Sequence, residues 1–102
     1  MPEERISFPS LPWQPGAHPL ERKKQGPLGG ATLLRFEPGF ADPNWCTNGH
    51  AGYVIDGTLR LEFEGTAEEI AAGEGFVIDA GMRHRASNPA SAPVVLFLAP
   101  RP

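Results

Sequence analysis

The sequence predicts an all-β domain, closed into a barrel or folded as a sandwich. Three observations carry that expectation. Twelve glycines and twelve prolines in 102 residues punctuate the chain at short intervals. Between them, apolar and polar residues alternate with period two, the signature of half-buried strands. No segment sustains a helical period long enough for a long helix, and no internal repeat is present.

Residues 1–30 read as an irregular, Pro-rich N-terminal arm that packs on the barrel or on a partner subunit. Ile6-Ser-Phe8 is a possible edge strand, but Pro9, Pro12, Pro15, Pro19 and Pro27 exclude a long helix or a central strand. Trp13 is expected to dock, because a large apolar ring on a free arm is a liability. The charge run Glu21-Arg-Lys-Lys24 reads as a solvated loop.

Residues 31–102 read as the barrel. Thr32–Glu37 alternates, with Thr32, Leu34 and Phe36 on one face and Leu33, Arg35 and Glu37 on the other. Gly49–Ile55 is the next strand, and Asp56-Gly57 is a strong hairpin signal. Leu59, Leu61 and Phe63 then point inward while Arg60, Glu62 and Glu64 point outward. Thr66–Ile70 is ambiguous between one helical turn and a strand, and the short distance between flanking glycines favours the strand. Phe76–Ile78, His84–Ala86 and Val94–Leu98 complete the set.

A chain of this length makes one domain with a core of ordinary size. Its formal charge of -3 and scattered basic residues give no footprint for nucleic acid. No apolar run approaches the ~18 residues of a membrane helix, so no membrane partner is expected. One cysteine fits a reducing compartment, and the N-terminus lacks a basic segment followed by an apolar one. A cytoplasmic location is expected.

The chemistry concentrates at two turn–strand segments. Cys46-Thr-Asn-Gly-His50 leads into one strand, and His84 opens another after the turn at Asp79-Ala-Gly81. A thiolate with two imidazoles is a borderline-soft donor set. It favours zinc and also accepts iron, nickel or copper, and three protein ligands leave a position open. Asp42 and Asn44 lie close enough in sequence to offer an oxygen. Taken singly, a lone cysteine is a small buried hydrophobe and a turn histidine satisfies backbone groups; the three together at this spacing favour the metal site. Leu34, Phe36, Phe63 and Asn44 are the expected pocket-lining residues. Trp45 either caps the barrel mouth or packs on the arm, Tyr53 reads as structural, and Arg83 and Arg85 read as surface or dimer contacts. No hydrolase triad, phosphate loop or paired catalytic carboxylates is present.

These two segments resemble the motifs of the cupin superfamily, small jelly-roll β-barrels, over residues 31–99. Gly52-Tyr-Val-Ile-Asp-Gly57 is similar to the end of the family's first motif. Counted back from Gly57, His50 stands where the family has a glutamate, Cys46 where it has its second histidine, and Asn44 where it has the first. In the second motif Gly73, Gly81, His84 and Asn88 fall in register, and Asp79 replaces a proline. The resemblance implies a single-domain jelly-roll barrel, a divalent metal on Cys46, His50 and His84, and a homodimer. The missing glutamate removes the anionic oxygen ligand of the family's iron and manganese oxygenases. A thiolate restores the negative charge and moves the balance toward zinc. The activity implied is open, since the family spans many chemistries: an enzyme on a small organic molecule, a non-catalytic ligand-binding or sensor module, or a metal-free structural barrel.

Overall fold

In the computed structural model, which describes residues 4–101, nine strands form two facing sheets and there is no α-helix among the described residues. The strands are β1 (Gln14–Pro15), β2 (Glu21–Gln25), β3 (Thr32–Phe36), β4 (His50–Asp56), β5 (Thr58–Phe63), β6 (Thr66–Ala71), β7 (Gly75–Ile78), β8 (His84–Ser87) and β9 (Val94–Pro100). The larger sheet runs β1-β2-β3-β9-β4-β7 and the smaller β6-β5-β8. All pairings are antiparallel, including the crossovers β3·β9, β4·β9 and β5·β8. This is the jelly-roll arrangement of two sheets around one core.

The period-two alternations decide which side chains enter that core. Leu34 and Phe36 of β3 are buried, as are Leu59 and Leu61 of β5 and Val94 and Leu96 of β9. Val54 and Ile78 join them from β4 and β7. Phe40, between β3 and β4, stacks on Phe36 with ring centroids 4.1 Å apart. The tight turn after β4 depends on Gly57, whose φ of 79° is open to glycine and strained for other residues. A side chain there would also run into the Pro93 carbonyl.

One polar side chain is built into this core. Asn88 is fully buried; its Nδ2 donates to the carbonyls of Phe36 and Ala92 at 3.0 and 2.9 Å, and its Oδ1 accepts from Ala90 N–H at 3.1 Å. Satisfied on all three bonds, it ties β3 to the chain leaving β8.

The structure departs from expectation chiefly before residue 31. Glu21–Gln25 is not a loop but β2, paired along its whole length with β3. Its charges hid the strand because β2 lies near the sheet edge, where lysine and glutamate are tolerated on both faces and discourage edge-to-edge association. The true edge is β1, two residues ending in Pro15, as the missing proline N–H requires. Ile6-Ser-Phe8 is not a strand; Phe8–Ser10 forms a single 3-10 turn. Phe8 meets Phe97 of β9 edge-on, and Lys24 Nζ bonds the Phe8 carbonyl at 3.0 Å. Trp13 is half-buried under the Lys24 ammonium, 4.8 Å from its ring centre. Thr66–Ala71 is a full strand, which settles that ambiguity. Tyr53 faces solvent on the outer side of the large sheet. No helix among the described residues is long and apolar enough to cross a membrane.

Candidate metal centre

Cys46, His50 and His84 come together at one end of the barrel. His50 opens β4 in the large sheet and His84 opens β8 in the small one, so the pair spans the sandwich. Cys46 lies on the connecting segment and is held against His84 by a reciprocal backbone pair, Cys46 N–H to His84 C=O at 2.7 Å and His84 N–H to Cys46 C=O at 2.9 Å. Buried Gly49 allows the close approach that sets His50 in place: a Cβ there would strike the Arg101 carbonyl and the Ala80 amide.

One donor atom from each of the three residues lies within 4.8 Å of the other two. A tetrahedral zinc with bonds of ~2.0–2.3 Å needs ligand atoms roughly 3.5 Å apart. A contraction of about 1 Å therefore suffices, within the reach of a cysteine χ1 and an imidazole rotation. The imidazoles stand edge to face, 5.4 Å between centroids at 79°. His84 Nδ1 lies 2.9 Å from the Met82 carbonyl, which only accepts; the proton therefore sits on Nδ1 and the Nε2 lone pair is free. A bond of this kind orients the ring of a histidine that ligates metal. Burial, and secondarily the charge of His84, push His50 below the ordinary histidine pKa, keeping it in the neutral form that binds metal. Cys46 Sγ accepts weakly from Asn48 N–H at 3.5 Å. The residues present fit a divalent ion.

Asp42 does not join the cluster: its Oδ2 accepts from Ala86 N–H at 2.9 Å. Beside the three residues lies a cavity of about 470 Å³, the range of small-molecule sites. Leu34, Phe36 and Asn44 line it, together with Leu61, Phe76 and Leu96. Phe63 does not; it is half-buried and opens onto a separate cleft with Glu64, Thr66 and Val77. At the end of β5, opposite His84, its ring lies beyond the part of the strand that Leu59 and Leu61 present to the cavity. Trp45 edges the cavity, with the Arg85 and Arg83 guanidiniums 4.3 and 5.0 Å from its ring centre. Those arginines also pair with Glu62 and Glu64 on the outside of the small sheet. Sequence reasoning missed Glu21 as a cavity residue. No hydropathy pattern in Glu21–Gln25 could have placed it; the pairing with β3 does.

A sequence model of the cupin domain matches residues 32–100. With the jelly-roll sheets and the second-motif residues in place, the chain belongs to the cupin domain family. Solved structures agree on the fold. The polyketide cyclase RemF from Streptomyces resistomycificus superposes with a TM-score of 0.75 at 21% identity, covering 96% of this chain and 79% of that one. KdgF from Halomonas sp. gives 0.70 at 22%, covering 97% and 96%. A sugar phosphate isomerase of the cupin superfamily from Silicibacter pomeroyi gives 0.74 at 18%, covering 97% and 76%. No curated protein sequence matches the chain.

Proposed function

We propose that this cupin holds one divalent metal ion, zinc before iron or nickel, on Cys46, His50 and His84, next to a cavity that admits a small organic molecule. The observation that carries the reading is the convergence of the three donors within 4.8 Å at the cavity wall. The Met82 carbonyl's hold on His84 supports it. A thiolate and two imidazoles suit zinc, and an ion so held keeps a position open to water or ligand and supplies Lewis-acid polarisation. The chain's own residues orient the donors, line the cavity with apolar surface and limit access of water.

Elemental analysis of untagged protein purified under reducing conditions tests it. Near-stoichiometric zinc is expected; less than about a tenth of an equivalent after reconstitution overturns the reading. The chain is further read as a cytoplasmic homodimer. Tyr53, Ile55 and Val77 support the dimer as exposed apolar side chains sharing the outer face of the large sheet, where a second copy would bury them.

A further inference from the structure

We propose that the side chains of the cavity, apart from any bound ion, select a neutral or cationic molecule with an apolar body and a hydrogen-bond-donating end, and disfavour anions such as phosphate esters and carboxylates. The inference deepens the ligand-binding part of the proposed function and rests on the cavity being its ligand site. The charge on the cavity wall carries it. Among the described residues lining the cavity there is no lysine or arginine, while two carboxylates, Glu21 and Asp42, are present. Recognition of phosphate or carboxylate relies on guanidinium or ammonium groups or on clustered backbone N–H donors. Lys23, opposite Leu34 on β2, is exposed and does not line the cavity, and the nearby arginines are engaged elsewhere. Arg83 and Arg85 lie over Trp45 and pair with Glu64 and Glu62 outside the small sheet. Arg22 bonds the carbonyls of Pro19 and Glu21.

The two carboxylates are also held in place. Asp42 N–H donates to the Ala86 carbonyl, and Asp42 Oδ2 accepts the Ala86 N–H at 2.9 Å. The aspartate is thus locked to β8 two residues beyond His84, on the same inward face. Its other oxygen makes no hydrogen bond among the described residues and is free to accept one from a ligand hydroxyl or ammonium. Glu21 is fixed by Ala17 N–H to its Oε1 at 2.9 Å. Between them lies the apolar wall of Leu34, Phe36, Leu61 and Leu96, which takes the ligand's body. Without a bound ion, an anion entering this space loses hydration, meets no lysine or arginine on the wall and faces two fixed negative charges in a medium of reduced dielectric.

The test uses three probes of one size: 1-naphthalenemethanol, 1-naphthylmethylammonium and 1-naphthoate. Each is titrated calorimetrically into the full chain after removal of metal by a chelator, so that no carboxylate binds through an ion. The alcohol and the ammonium are expected to bind, with 1-naphthoate at least about tenfold weaker. The double variant Glu21→Gln, Asp42→Asn is expected to close that gap to less than about threefold. Asparagine keeps the oxygen that accepts from Ala86, and Glu21→Gln alone, at the start of β2, is the fallback and should narrow the gap in part. Equal or tighter binding of 1-naphthoate to the wild type, no binding of any probe, or a gap unmoved by either variant overturns the proposal. Because the measurement is made without metal, its failure is separate from a failure to find zinc.

Discussion

Replacing Asn88 with alanine is the sharpest test of how this barrel is held together. The substitution removes three hydrogen bonds at once, to the carbonyls of Phe36 and Ala92 and from the amide of Ala90. The Phe36 carbonyl lies inside the core and has no route to water, so its loss costs about 2 kcal/mol; the other two groups are part-buried and lose about 1 kcal/mol each. The sum is about 4 kcal/mol, a large share of the ~5–15 kcal/mol that holds a domain of this size. At roughly 4–8 °C per kcal/mol, the melting temperature should fall by about 15–30 °C. Urea denaturation followed by circular dichroism gives the free energy, and a thermal melt gives the midpoint. Asn88→Asp should be at least as damaging at neutral pH, because a buried carboxylate would face two carbonyl oxygens. A loss below about 1 kcal/mol for the alanine variant would refute the claim that this residue bolts the two chain segments together.

Adding zinc at a hundred times its dissociation constant should raise stability by about 2.7 kcal/mol, read as a shifted denaturation midpoint; an unmoved midpoint contradicts the metal reading. Cys46→Ala should weaken zinc by at least roughly a hundredfold in a competition titration, since loss of an outer-shell partner alone costs 10–100-fold; unchanged occupancy would remove the thiol from the ligand set. Gly57→Ala should lose at least about 1–2 kcal/mol in urea, from a left-handed φ and a collision with the Pro93 carbonyl; a loss under about 0.5 kcal/mol would show that the turn adapts. Val77→Lys, at a site 62% exposed, should convert the expected dimer to monomer by light scattering without lowering the monomer's secondary structure; a wild type already monomeric at micromolar concentration overturns the dimer.

β3 and β5 were legible because each alternates between a buried and an open face, as Leu59 and Leu61 do against Arg60 and Glu62. The donor set was legible for a different reason: Cys46, His50 and His84 sit beside glycine turns at fixed offsets, and turns fix where the next strand begins. β2 was not legible. Lys23 pairs with Leu34 and Glu21 with Phe36, so the strand is specified by its partner and not by its own hydropathy. Phe63 was misplaced because alternation tells which face a residue occupies, not how far along the barrel its ring lies. Glu21 and Asp42 entered the cavity through tertiary contacts that no local pattern records.

The barrel's two ends differ in what holds them shut. Around Asn88 the ends of β4, β5 and β9 meet through Val54, Leu59 and Val94, each 1% exposed or less. At the other end, His50, Thr32 and Leu98 are only partly covered, and the two sheets face each other through imidazoles and a thiol. Apolar packing gives the first end a closure that does not depend on solution conditions, whereas cohesion at the second would rise with a bound metal. Amide hydrogen exchange should therefore be graded along the strands, slow near Val54 and faster near His50 and Cys46, with zinc slowing the fast end. Local opening there would give a small molecule its way in while the rest of the barrel stays folded.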